Sequence, residues 1–103
     1  MRFVREFRGC DVGICFFILY HNEGIVFYYE NKSEYYRLTE RMVLNLVNCT
    51  IEGQLDNENI CDFVLNPGKT HFINIIKDID SEAFTANIQT CNFEVEQQNQ
   101  QKW

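Results

Sequence analysis

Across 12–20 nearly every position is apolar, β-branched or aromatic on both parities, the pattern of a strand covered on both faces. His21-Asn22-Glu23-Gly24 interrupts it, and Ile25-Val26-Phe27-Tyr28-Tyr29-Glu30 resumes it, which predicts an antiparallel hairpin. Farther on, Cys61-Asp62-Phe63-Val64-Leu65 and Thr70-His71-Phe72-Ile73-Asn74-Ile75-Ile76 flank Asn66-Pro67-Gly68-Lys69. Proline presets φ at one central turn position and glycine permits the positive φ at the next, so a type II turn is predicted there, closing a second hairpin. Polar residues at 77–82 lead to a run at 83–90, and Cys91-Asn92-Phe93-Glu94-Val95 alternates as a last strand.

The stretch 38–47 reads two ways. Leu38, Met42 and Leu46 fall at i, i+4 and i+8, a helical spacing, but Met42, Leu44 and Leu46 also alternate against Val43, Asn45 and Val47. The valines, the asparagine and the following Cys49-Thr50-Ile51 favour an extended backbone, so a strand is expected, continuing toward Ile51. Residues 52–59 are polar, contain Gly53 and lack a period, as a loop does. Residues 1–7 alternate weakly, with Arg2, Arg5 and Glu6 of the kind that blunts a sheet edge. The expectation is an all-β chain, a small antiparallel β-sandwich of about seven to eight strands. It forms one domain over 1–96, in which 1–23 supplies edge or incomplete strands, and 97–103 is a polar tail without the apolar area to pack.

Composition agrees with a single folded unit. A chain of 103 residues closes one core, and 46% hydrophobic with 15% aromatic residues supplies the apolar area that a disordered chain lacks. The formal charge of −6 repels phosphate backbones and anionic lipid, which argues against nucleic acid and membrane surfaces as partners. The exception is local: Arg2, Arg5 and Arg8 crowd the first eight positions, a basic edge that suits an acidic neighbour. The apolar run at 12–19 is far short of the roughly 20 residues of a membrane-spanning helix, and no small-residue cleavage site follows it.

Cys10, Cys15, Cys49, Cys61 and Cys91 are odd in number, and no two stand in a CxxC pair. With apolar neighbours such as Ile14 and Phe16 beside Cys15, they read as reduced, buried thiols in a cytoplasmic protein. Asn31-Lys32-Ser33 and Asn48-Cys49-Thr50 fit the N-glycosylation pattern, which matters only for a secreted chain. Among groups that carry chemistry, Asp78, Asp80 and Glu82 stand at two-residue spacing in a loop, where their oxygens can converge on Ca2+, with Asp56, Glu58 and Asp62 able to contribute. Apart from this candidate no cofactor is implied. His21 and His71 are the two imidazoles, and a cysteine nucleophile would need one of them beside a thiol, though no local motif of a cysteine hydrolase surrounds any of the five cysteines. Tyr28, Tyr29, Tyr35 and Tyr36, next to Phe27, are dense enough for an interaction surface, because tyrosine gives contact area at low entropic cost; cross-strand packing is the competing account.

The segments 24–33, Leu44-Asn45-Leu46 leading to Ile51-Glu52-Gly53, and 63–69 follow one another in an order that resembles the β-sandwich accessory, C2-like domains of calpain-type cysteine proteases and calpain-related proteins of protists. The resemblance covers about residues 24–95 and rests on short motifs. It implies a non-catalytic regulatory or protein-interaction module that packs on a protease core or neighbouring domain, either as the terminal piece of a longer protein or as a shortened product. The calpain core's Gly-Asp-Cys-Trp, Gly-His and Asn-Pro-Trp contexts do not occur here, and Asn66-Pro67 is followed by Gly68. Two further readings stand beside it: a Ca2+- or phospholipid-responsive C2-type sensor using Asp78, Asp80 and Glu82, and an enzyme with a cysteine nucleophile.

Overall fold

A computed structural model describes residues 2–7, 13–53 and 59–98. Arg8, Cys10, the loop acids Asp56 and Glu58 and residues 99–103 of the expected tail lie outside the described residues. The described chain is all-β: β1 (Arg2–Phe7), β2 (Ile14–His21), β3 (Gly24–Asn31), β4 (Tyr36–Val47), β5 (Cys49–Ile51), β6 (Ile60–Leu65), β7 (Thr70–Lys77) and β8 (Thr85–Gln97). These strands form two antiparallel sheets, a five-stranded one in the order β1-β2-β3-β7-β5 and a three-stranded one in the order β6-β4-β8. They face each other as a small β-sandwich.

The expected first hairpin is present, with Ile14 to His21 pairing Asn31 to Gly24 around a two-residue turn at Asn22 and Glu23. Among the described residues the Arg-bearing first strand is an edge of the larger sheet, paired with β2 alone. The strand reading of 38–47 also holds, and the strand starts earlier, at Tyr36: Leu38, Met42 and Leu44 point inward and are buried while Thr39, Arg41 and Asn45 point outward and are exposed. Asn48, at φ 60, ends β4 with a left-handed kink, so the expected continuation through Cys49-Thr50-Ile51 leaves the small sheet and joins the large one beside β7. The two runs expected at 83–90 and 91–95 are one strand, β8, with the register against β4 slipping at Gln89 to make a bulge.

One expectation is corrected. The Pro-Gly turn exists, with the Lys69 N–H donating to the Asn66 carbonyl at 3.1 Å and Gly68 at φ +77. It does not close a hairpin: β6 belongs to the three-stranded sheet and β7 to the five-stranded one, so the turn carries the chain across the sandwich. Asn31 explains how that crossing is fixed. It is 2% exposed, its N–H donates to the Lys69 carbonyl, its carbonyl accepts from Gly68 N–H, and its Nδ2 donates to the carbonyls of Tyr36 and Leu65. A single buried amide thereby ties the end of β3 to the starts of β4 and β7 and the end of β6, satisfying backbone groups that leave their ladders there. That engagement also removes Asn31 as a glycan acceptor in the folded chain.

Alternate residues of the facing strands make the core: Ile14, Phe16 and Ile18 from β2, Ile25, Phe27 and Tyr29 from β3, and Ile73 and Ile75 from β7 meet Leu38, Met42, Leu44, Cys61 and Leu65. Phe16 packs flat on Tyr29 at 4.5 Å between ring centroids and edge-on to Phe27 at 5.5 Å. Cys49 and Cys61 are buried small hydrophobes, as expected of thiols among apolar neighbours, and Cys15 and Cys91 are half-buried; none of these four is in a disulfide.

Candidate functional site

Two regions concentrate groups that could do something. The first lies between the sheets. Glu40 shares its parity on β4 with Leu38 and Met42, so the strand's alternation carries a carboxylate into the core, where it is 1% exposed. The Tyr29 hydroxyl, from the opposite sheet, donates to Glu40 Oε2 and lies 3.4 Å from Met42 Sδ. Around this pair Phe63 packs on Tyr29 at 4.7 Å, and His71 stacks on Phe63 at 4.2 Å with the planes 22° apart. Outward from His71 the sheets part into an open recess of about 240 Å3 lined by Ile51, Glu52, Cys61, Asp62 and His71.

A thiol and an imidazole therefore border one recess. Burial acts on both groups. Burial, with the Asp62 and Glu40 carboxylates adding to it, pushes the Cys61 thiol up to about 11, and burial pushes the His71 imidazole below its ordinary value. An activated cysteine needs the opposite environment, electropositive and lowering the thiol's pKa. His21, the other imidazole, is exposed at the end of β2, where its Nδ1 accepts from the Glu23 N–H.

The second region is the outer face of the five-stranded sheet. The registers of β2, β3 and β7 align its residues in cross-strand rows: Cys15, Glu30 and Thr70; then Phe17, Tyr28 and Phe72; then Leu19, Val26 and Asn74. In the middle row the rings touch, Phe17 to Tyr28 at 5.8 Å and Tyr28 to Phe72 at 4.5 Å, and Phe72 is 56% exposed. A shallow groove of about 330 Å3 lies over Phe17, Leu19, Tyr28 and Glu30. Ile76, also exposed, extends the apolar surface toward the β2–β3 turn. The outer face of the small sheet carries ion pairs Arg37–Glu96 and Arg41–Asp62, each at 3.2 Å, across its strands, with Val64 exposed among them. Partial burial, and then the Glu30 carboxylate, holds the Tyr28 phenol above its ordinary value of 10.0.

The expected site residues separate accordingly. Of the four tyrosines, Tyr29 is fully buried and is a core residue, which corrects its place in an interaction surface: its parity on β3 is that of Ile25 and Phe27. Tyr28 alone lies in the aromatic row; Tyr36 packs against the core and Tyr35 is 40% exposed between β3 and β4. Asp78, Asp80 and Glu82 sit in the exposed β7–β8 connection, where Ser81 N–H donates to the Asp78 carbonyl in a turn, and among the described residues no three His, Cys, Asp or Glu side chains are grouped to hold a metal ion. The residues not singled out from sequence are Glu40, Phe17 and Phe72. Glu40 was legible, since it shares the parity of Leu38 and Met42; Phe17 and Phe72 become neighbours of Tyr28 only through a strand order that puts β7 beside β3.

Comparison with known proteins returns no match, whether to family models, to curated proteins or to solved structures.

Proposed function

We propose that this chain is a non-catalytic protein-interaction module that docks a neighbouring protein domain through the outer face of β2, β3 and β7. One observation carries the reading: on an acidic protein whose small sheet turns ion pairs outward, the large sheet turns outward a contiguous row of aromatic rings bordered by Leu19, Val26 and Ile76. Contiguous exposed apolar surface costs free energy in water, and its covering by a partner offsets that cost. Aromatic rings at the centre of such a patch are the residues that anchor protein interfaces. The protonated character of Cys61 and the flat stacking of His71 on Phe63 support a structural role for the inner cluster rather than a catalytic one. The resemblance to calpain accessory domains is in keeping with this role, as is a cytoplasmic setting for four cysteines outside any disulfide.

Site-specific photocrosslinking tests the reading. A benzophenone side chain in place of Phe72 should capture a discrete protein adduct in the native cell, whereas the same group in place of Thr39, exposed on the charged sheet, should not. Equal or absent adduct formation at the two positions would remove the outer face as the docking surface.

A further inference from the structure

Beyond that docking face, we propose that β6 is a self-association strand, pairing antiparallel about a two-fold axis with β6 of a second copy of this chain. The ladder on its other side fixes which backbone groups are available. The Leu44 N–H donates to the carbonyl of the residue opposite it, Asn59, at 2.9 Å, so hydrogen-bonded pairs recur at every second position, Met42 with Cys61 and Glu40 with Phe63. Asp62 and Val64 fall between them and turn their N–H and C=O groups away from β4, where no strand follows among the described residues. Such a row recruits an extended chain, and sheet edges are ordinarily protected against it. The other edges carry protection: β1 bears Arg2 and Arg5, β5 is three residues long, and β8 is bent by the bulge at Gln89 and bears Glu94 and Glu96. The sequence of β6, Ile-Cys-Asp-Phe-Val-Leu, has no lysine, arginine or proline, its register has no bulge, and Val64 is 55% exposed on it.

The side chains select a second copy and a register. Two antiparallel registers match the outward hydrogen-bonding groups and keep the strands most fully overlapped, one with the two-fold at Asp62 and one with it at Phe63. The first sets two carboxylates directly opposite each other, which is destabilising. The second sets Asp62 against Val64 of the second copy, where they exchange backbone hydrogen bonds, and places ring against ring at Phe63 and Cys61 against Leu65, aromatic and apolar cross-strand pairs. Asp62 keeps its own Arg41 at 3.2 Å, so no charge has to find a new partner. The strand is complementary to itself in this register, as an isologous interface requires, and the three-stranded sheets of the two copies become one continuous sheet.

The test is sedimentation equilibrium of the full chain up to about 1 mM, with isotope-filtered NOE spectra of a sample mixed from 13C-labelled and unlabelled chains. A monomer–dimer equilibrium is expected, with an NOE between Cys61 Hα and Leu65 Hα of different chains, the close contact of a non-hydrogen-bonded pair. Val64→Lys should weaken the dimer about ten-fold or more, and Val64→Pro, which removes an N–H that β4 does not use, should do the same, with a dispersed amide spectrum showing that each variant folds. The NOE decides independently of either variant. A chain that stays monomeric, one that grows past a dimer, or a dimer that survives both substitutions in folded protein overturns the proposal. So does an NOE from Cys61 to Phe63 in place of Leu65, the register through Asp62. Loss of the dimer in Phe72→Ser but not in Val64→Lys would move self-association to the outer face of β2, β3 and β7 and overturn it as well.

Discussion

The Tyr29–Glu40 hydrogen bond joins the two sheets through a fully buried pair, so breaking it should be felt as global instability. Tyr29→Phe is the cleanest perturbation, since it keeps the ring that stacks on Phe16 at 4.5 Å and meets Phe63 at 4.7 Å and removes only the hydroxyl. A hydrogen bond to a carboxylate is worth about 1.5–3 kcal/mol, and the acceptor left behind stays buried, so a loss of about 2 kcal/mol is expected. For a domain whose whole stability is on the order of 5–15 kcal/mol, this is a large share. In urea the midpoint should fall by about 1 M at an m-value of about 2 kcal/mol per M, with the slope itself unchanged. Replacing Glu40 by Leu in the Tyr29→Phe background should recover much of the loss, because it removes the buried acceptor of this bond together with its donor. The double-mutant cycle over Tyr29→Phe and Glu40→Leu should therefore give a coupling above about 1 kcal/mol. A coupling below about 0.3 kcal/mol, the scatter of independent sites, would refute the claim that this bond holds the sheets in register.

Three further outcomes follow from other parts of the structure. At Gly24 an added Cβ would sit 2.0 Å from the Ile75 carbonyl oxygen, so Gly24→Ala should cost more than about 3 kcal/mol or prevent folding, whereas Gly68→Ala meets no atom and should cost only about 1 kcal/mol for its positive φ; thermal melts separate the two. Because His71 titrates lower in the folded chain than its ordinary value of 6.5, the unfolded chain takes up that proton first. This contribution to stability is complete above 6.5 and is lost as pH falls through that value toward the folded one. His71→Phe should keep the stack on Phe63 and flatten this part of the pH dependence, measured by urea unfolding from pH 8 to pH 5; an unchanged slope would contradict the burial argument. Cys61, with its thiol near 11, should react slowly with iodoacetamide at pH 7.5 in the folded protein and rapidly in denaturant, as read by mass spectrometry of the labelled peptides; fast labelling in the native state would reopen the nucleophile reading.

The sequence by itself determined the class of fold and most of the strands. Period-two alternation is a local property, and for β4 it favoured a strand over the competing helix before any partner was known. The conformation of the Asn66-Pro67-Gly68-Lys69 turn was equally local, because proline and glycine fix φ within two residues. Only the tertiary structure decided which strands pair. The Pro-Gly turn has the same dihedral preferences whether its arms pair with each other or enter opposite sheets; the choice went to the second because Asn31, far away in sequence, supplies the hydrogen bonds that the diverging ends need. The aromatic row has the same origin. Tyr28 and Tyr29 are adjacent in sequence and indistinguishable in composition, but the pleat sends one outward and the other into the core, and Phe17 and Phe72 reach Tyr28 only because long-range pairing sets β2 and β7 on either side of β3.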